Sequence, residues 1–308
     1  MSVEVILESC VRTLSISSAC EKCKSVCEDS AIDFDAGFMR INSDKCTNCM
    51  LCVGVCPTSA ISADELSFAA LGADELFCLA LSEDGLTSIE APQTCDNRVN
   101  EANALLGAFG KEIKIELKLQ AKEDKSLQDG SKRALFRLFS KDGVKNAAEK
   151  VKSQDEITNE LDFGALKNKK MPPKREMFLK TVEDMASESN MPLSFASDKM
   201  IDETCDNCSL CYNLCPSGAL ETTMMKNAIL FSPHLCLRCK LCEDVCQSRS
   251  ISSLPTFALS NFIERKKKVL IKFKSKLCES CGAVFSGDGD ECPRCAKESE
   301  DAHELLGF

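Results

Sequence analysis

Apolar residues in this chain come in short runs whose spacing changes from stretch to stretch, and the spacing predicts the elements. Leu76–Leu81 is a continuous apolar run of strand length. In Arg98–Phe109, Val99, Ala102, Leu105, Leu106 and Phe109 recur on one helical face, with Asp96 or Asn97 placed to cap the start and Gly110 to end it. Ile113–Leu119 alternates apolar residues with Lys114, Glu116 and Lys118, the pattern of a half-buried strand. Strand, helix and strand in that order make a β-α-β unit and imply a small parallel sheet. Further on, Ala134–Phe139 reads as the core of a helix, and Met171-Pro172-Pro173 breaks the pattern. In Lys174–Ala186, Met177, Phe178, Val182 and Met185 return at helical spacing, as packing residues do. Val269–Phe273 reads as a strand beside the cysteine-rich C-terminal segment. No stretch approaches the 18 or so apolar residues of a membrane span.

Composition changes this picture at two points. Aromatics make up 6% of 308 residues, with no Trp and the single Tyr212, so parts of the chain must be held by something other than a large apolar core. The formal charge is −10, and the basic runs are Lys167-Asn168-Lys169-Lys170 and Arg265–Lys268. Without interleaved aromatics these read as solvated faces, and nucleic acid is not an expected partner. Of the two histidines, His303 lies in the acidic tail and His234, beside Pro233, is suited to capping a cysteine loop. Gly107 and Gly110 end a helix rather than open one, so no phosphate-binding loop supports a flavin or nicotinamide site. An enzyme acting alone on a substrate is not expected.

The chemistry lies in 22 cysteines. Cys205-x2-Cys208-x2-Cys211-x3-Cys215-Pro216 is answered by Cys236-x2-Cys239-x2-Cys242-x3-Cys246. Three thiolates two residues apart line a tight loop around one cubane, while the fourth is aimed at the other. One cluster would be held by Cys205, Cys208, Cys211 and Cys246, the second by Cys236, Cys239, Cys242 and Cys215. Amides at Asn207, Ser209, Gly218 and Ala219 are placed to hydrogen-bond the sulfurs. Structural zinc is the alternative for these thiols, but zinc prefers two C-x2-C knuckles per site.

Over about 50 residues, including Cys215-Pro216-Ser217-Gly218-Ala219, this stretch resembles a bacterial two-cluster ferredoxin. The same signature recurs at Cys46-x2-Cys49-x2-Cys52-x3-Cys56-Pro57. Its partner, Cys20-x2-Cys23-x3-Cys27, supplies the second to fourth ligands and has Ser17 where the first should be. The resemblance implies a short strand leading into a first cysteine, and Val3–Glu8 followed by Cys10 reads that way. The longer loop to Cys20 costs little, because closure entropy grows only logarithmically with length. The expected sets are Cys10, Cys20, Cys23 and Cys56 for one cluster and Cys46, Cys49, Cys52 and Cys27 for the other. A three-iron site, or one borrowing Ser17, remains the alternative for the first. Four oxidised cubanes would add a charge of about −8.

Cys278-x2-Cys281 and Cys292-x2-Cys295 form two knuckles suited to one tetrahedral ion, and this segment resembles a zinc ribbon. It is more loosely similar to the rubredoxin-like tail of rubrerythrins, which would make the ion a redox-active iron. Phe285 is the one aromatic residue here of the kind that packs around such an iron. Asp288–Glu291 reads as a solvated turn. Cys78 and Cys95 are left over. Cys78 reads as strand core and Cys95 as a loop thiol before a helix N-terminus, where the dipole lowers thiol pKa. A redox-active pair is the sharper alternative. The β-α-β unit is similar to small α/β domains attached to ferredoxin modules in hydrogenase- and heterodisulfide-reductase-associated subunits.

The expected fold class is α+β: dicluster ferredoxin-like modules at 1–66 and 199–254, a small α/β domain at 67–121, a helical connection at 122–198, and a strand, ribbon and acidic tail at 255–308. The expected cofactors are four [4Fe-4S] clusters and zinc, with a single Fe the alternative for the ribbon. The expected role is electron transfer to or from a partner oxidoreductase such as a hydrogenase or formate dehydrogenase. Two other classes stand beside it: an assembly or docking factor whose clusters are structural, and a redox enzyme using Cys78 and Cys95. Reduced thiols, a start without basic or twin-arginine leader features, and the lack of an apolar span point to the cytoplasm.

Overall fold

Short antiparallel strands bracket each pair of cysteine runs. In the computed structural model, which describes residues 3–35, 37–63, 67–83, 85–119, 169–286, 289–292 and 294–299, Val3–Val5 pairs with Ile61–Ala63 and Ile32–Asp35 with Phe38–Ile41. The expected helix core at Ala134–Phe139, Lys167, Asn168, Asp288 and His303 lie outside those residues. Near the C-terminus Lys199–Ile201 pairs with Ile251–Ser253, and Leu220–Thr222 with Ala228–Phe231. Each unit thus closes its ends on each other and carries a second ladder across its middle.

The strand expected at Val269–Phe273 is present as Lys268–Lys272, but it lies along Ala228–Phe231 and not beside the ribbon. Flanking charges fix it there: Lys268 pairs with Asp198 at 2.6 Å and Lys267 with Glu221 at 2.7 Å. The lysine run is therefore occupied by ion pairs with the neighbouring unit.

Between the two cysteine-rich units, strands Ser88–Ala91 and Glu116–Leu119 run parallel, joined by the helix Asp96–Ala108. The β-α-β unit exists, but its first strand is not the expected one. Leu76–Leu81 falls in a helix, Ala73–Ala80, buried at every residue. An element apolar all round shows no period, so a buried helix and a buried strand look alike in sequence. The start signal is Glu75, whose carboxylate accepts the Gly72 amide at 2.7 Å from the third helical position. Neither Asp96 nor Asn97 caps the crossover helix: Cys95 takes the cap position, and Asp96 instead accepts a bond from Asn100. Gly110 does end it, at φ +69, with Lys111 N bonded back to Leu106 O as in a Schellman turn.

The helix Pro173–Thr181 follows the proline break and carries Phe178 and, just beyond its end, Val182 into the core. Phe178 touches the rings of Phe77 at 5.4 Å, Phe195 at 5.2 Å and Phe262 at 4.9 Å, and Phe257 continues the chain. Side chains from four separate stretches of sequence meet on this one ring, so the segments 178–196 and 257–262 belong to the same core as the β-α-β unit. Within that core Arg98 donates to Ala69 O and Leu71 O, fixing the segment that follows the N-terminal unit. The helix Leu51–Val55 passes so close that a Cβ on Gly54 would lie 2.3 Å from Arg98 Nη1 and 2.9 Å from Leu71 O.

Phe178 is fully buried, so Phe178→Ala should cost about 3–5 kcal/mol. Anaerobic guanidinium titration of wild type and variant measures this; an unchanged midpoint would show that the core does not depend on the ring.

Candidate metal centres

One hydrogen bond occurs four times and sets the frame of the cysteine sites. Ile6 N donates to Ala60 O at 2.8 Å, Asn42 N to Ala31 O at 2.8 Å, Asp202 N to Ser250 O at 3.0 Å and Ser232 N to Ala219 O at 2.8 Å. In each case a residue three or four before the first cysteine of one run meets the residue four past the last cysteine of the other. The closing cysteine of each run is thereby carried across to its partner. Ile6 precedes Cys10 as Asn42 precedes Cys46 and Ser232 precedes Cys236, so Cys10 occupies the place of a first cysteine.

The thiols gather accordingly. Cys23 lies within electrostatic reach of Cys56, Cys20 and Cys10, and Cys52 of Cys49, Cys46 and Cys27. Cys211 is within reach of Cys205, Cys208 and Cys246, and Cys242 of Cys239, Cys236 and Cys215. Ser17 is exposed, whereas Cys10 is buried. Two of the quartets line open pockets: Cys205, Cys208, Cys211 and Cys246 with Ile201, Ile229 and Ile251, and Cys27, Cys46, Cys49 and Cys52 with Val3 and Ile32.

The loops are shaped by left-handed backbone. The residues either side of the middle cysteine have positive φ in all three regular runs: Asn48 and Met50, Asn207 and Ser209, Arg238 and Lys240. A non-glycine residue there costs about 1–3 kcal/mol and persists only where its surroundings demand it. No such pair flanks Cys20, which explains why the irregular run needs a longer approach from Cys10. The third residue past each closing cysteine is also left-handed, at Ser30, Ser59, Gly218 and Arg249.

Burial pushes Cys23, Cys52, Cys211 and Cys239 up to about 12, and the neighbouring thiols of each quartet add to the shift. Four such groups become thiolates together only around a cationic core, which fits an all-thiolate iron–sulfur cluster. Polar groups offset part of the cost. Ala31 N donates to Cys27 Sγ and Ala60 N to Cys56 Sγ, both at 3.2 Å. Burial raises Cys246, but the hydroxyls of Ser250 and Ser248 and nearby amides outweigh it and hold the thiol below its ordinary value. The amides acting on loop sulfurs include Leu210 on Cys208, Leu241 on Cys239 and Arg238 on Cys236, two residues beyond each cysteine.

Cys278, Cys281, Cys292 and Cys295 form a tighter group, with all four Sγ atoms within 4.8 Å of one another. Thiolates at 2.3 Å from one tetrahedral ion lie about 3.8 Å apart, and Cys281 Sγ to Cys292 Sγ is 3.8 Å. The hairpin Ser275–Leu277 with Val284–Ser286 presents the first knuckle, and the Cys292 amide, donated to Cys278 Sγ at 3.2 Å, holds that thiol at about 6. Phe285 packs against the group. Among the described residues this is the one set with single-ion spacing.

Neither Cys78 nor Cys95 has the lowered pKa that marks a reactive thiol. Cys78 is buried in the helix Ala73–Ala80 beside Thr181, and its pKa is raised by burial. Cys95 sits at a helix start, yet burial outweighs Arg98 and raises it also, contrary to the depression expected there. His234 turns its carbonyl to Arg175 and its pKa is lowered by burial and nearby cations.

Comparison with known proteins bears on the same stretches. Residues 39–62 match the 4Fe-4S binding domain family and residues 198–247 the 4Fe-4S dicluster domain family. An uncharacterized ferredoxin of Methanocaldococcus jannaschii is 29% identical over 113 residues, which are 37% of this chain and 55% of that ferredoxin. The chain thus spans about half the length of the curated relative it matches. No solved structure matches. These matches support a metal-binding, ferredoxin-like iron–sulfur electron carrier. The irregular run from Cys10 to Cys27 lies outside both family matches, and the geometry alone speaks for it.

Cys10→Ser should lower the iron content or convert one cubane into a three-iron site with its own electron paramagnetic resonance (EPR) signal, while Ser17→Ala leaves iron and spectra as they are. The reverse pattern would assign the first position to Ser17.

Proposed function

We propose that this chain is a polyferredoxin-like relay holding four [4Fe-4S] clusters and one zinc ion, and that it passes electrons to or from a partner oxidoreductase of the hydrogenase or formate dehydrogenase kind. The observation that carries this reading is the fourfold hydrogen bond that brings a closing cysteine across to each of four thiol sets, the irregular one included. The ligands would be Cys10, Cys20, Cys23 and Cys56; Cys46, Cys49, Cys52 and Cys27; Cys205, Cys208, Cys211 and Cys246; and Cys236, Cys239, Cys242 and Cys215. Cys278, Cys281, Cys292 and Cys295 would hold the zinc, whose one geometry-checked demand is the 3.8 Å thiol spacing.

Each cubane supplies reversible one-electron chemistry when bound. The protein's part is to hold the thiols, aim amides and hydroxyls at their sulfurs, and leave Cys49 and Cys208 exposed at two of the sites. Hydrogen bonds such as those of Ser248 and Ser250 on Cys246 stabilise added negative charge and so raise the potential of the set they serve. A formal charge of −10, deepened by the clusters, favours basic docking patches on the partner, and such encounters weaken with salt. Among the described residues no helix is long and apolar enough to cross a membrane.

Anaerobically purified chain should contain about sixteen irons, as many sulfides and one zinc, and should be reduced by dithionite and reoxidised without loss of iron. Few irons with several zincs, or iron that leaves to an apo-acceptor without electron flow, would replace the relay with a metal-stapled docking or assembly factor. In the same preparation, Cys278→Ser combined with Cys281→Ser should remove the zinc and leave the iron count unchanged; loss of iron would place a redox metal in the ribbon.

A further inference from the structure

The two cysteine-rich units meet along a seam that is bordered by one thiol set from each. Val11 and Leu14 pack on Leu241 and Val245, all in one buried cluster whose margin includes Cys20 of one unit and Cys239 of the other. Ala19 N donates to Asp244 Oδ2 at 2.8 Å across the same seam. Lys22, between Cys20 and Cys23 in sequence, reaches over it: its ammonium donates to Arg238 O at 3.1 Å and to Ser194 O at 3.5 Å. Its charge lies within electrostatic reach of both Cys20 and Cys239.

Other cations gather on the same side. Lys174 donates to Cys56 O at 2.5 Å. Arg175, fully buried, and Lys199, whose side chain is 2% exposed, both lie within reach of Cys236. The thiol sets at the far ends contrast with these, for each ends in an exposed cysteine, Cys49 in one and Cys208 in the other.

We propose that Lys22 is a shared counter-charge between two face-to-face centres, the Cys10/Cys20/Cys23/Cys56 set and the Cys215/Cys236/Cys239/Cys242 set, and that this seam joins both units into a single four-centre wire with its exposed ends at Cys49 and Cys208. This rests on the iron–sulfur reading above. One electron, delivered by a one-electron donor such as dithionite or a reduced ferredoxin and removed by a one-electron acceptor such as an oxidised viologen, passes along the wire; no bond is made or broken and no proton moves. Lys22 is a positioning residue. Its charge favours the reduced form of both inner centres equally by place, so electrons rest on the buried pair and leave through the exposed ends.

The test is an EPR-monitored redox titration of the full, anaerobically loaded chain, wild type against Lys22→Gln and Lys22→Arg, with iron and sulfide analysis of each. In Lys22→Gln two of the four midpoints should shift to lower potential and two should stay, while Lys22→Arg restores the wild-type values. A shift in one midpoint, in none or in all four would overturn the bridging role. If Lys22→Gln loses iron, pulsed EPR on partly reduced wild type decides: dipolar coupling between units comparable with that inside a unit supports the wire, and coupling confined to each unit overturns it. Failure of the underlying reading looks different, since the wild type would then carry fewer than four reducible cubanes before any variant is made.

Discussion

Buried thiols repel one another as they ionise, and four of them placed around one point settle as thiolates only with a cation among them. In this chain burial and neighbouring cysteines act together to push thiols such as Cys23 and Cys52 upward, so they stay protonated at neutral pH and turning them into thiolates costs free energy unless a cation takes up the charge. The left-handed residues around Cys49, Cys208 and Cys239 add their own cost. Metal binding must supply the difference, which ties the folding of both cysteine-rich units to their cofactors. Because each closing cysteine crosses to the other run, neither run of a pair can complete a site alone. The strands that join chain ends, Val3–Val5 to Ile61–Ala63 and Lys199–Ile201 to Ile251–Ser253, are the backbone expression of that mutual dependence.

The central core answers a different need. Its aromatic chain through Phe77, Phe178, Phe195, Phe262 and Phe257 is built from ordinary burial and owes nothing to metal. It fixes the helix Pro173–Thr181, and that helix carries Lys174 toward Cys56 and Arg175 toward His234 and Phe195. Arg175 lies near the rings of Phe195 and Phe262 and donates from Nη1 to His234 O and from Nη2 to Phe195 O, contacts that help a guanidinium to be buried without an ion-paired carboxylate. An acidic chain has thus drawn cations inward, to where thiolate charge would otherwise go uncompensated.

How much of this the sequence discloses follows from how local each constraint is. Cysteine loops are readable because three ligands of a cluster lie within seven residues, and the helix Asp96–Ala108 and the proline break at 171–173 are readable from period and punctuation. Cys10 could be offered only beside Ser17, because nine residues separate it from Cys20; the bond from Ile6 to Ala60 that fixes its place joins residues 54 apart. The apolar run within the helix Ala73–Ala80 looks like a strand because full burial erases periodicity, and the Glu75 capping contact that marks it as a helix lies outside that run. Lys268–Lys272 was legible as a strand but not its neighbour, which depends on ion pairs with Asp198 and Glu221. The seam of Val11 and Leu14 on Leu241 and Val245 left no trace at all, since two short apolar faces more than 200 residues apart carry no shared pattern.

The same dipeptide spacing, C-x2-C, serves two kinds of centre here, and the backbone decides between them. In the ribbon the first knuckle turns back through Gly282 at φ +68, Gly282 N returns to Cys278 O, and Cys278 N closes on Ala283 O, so both thiols of the knuckle aim at one point. From the far side Ala296 N returns to Cys292 O, and the four sulfurs close to within single-ion distance. In the regular runs a pair of left-handed residues instead turns the loop around its middle cysteine, and the thiols line an open pocket. A remote fourth thiol then completes the wall. The ribbon and the regular runs therefore differ less in the choice of ligand than in how the backbone bends around it.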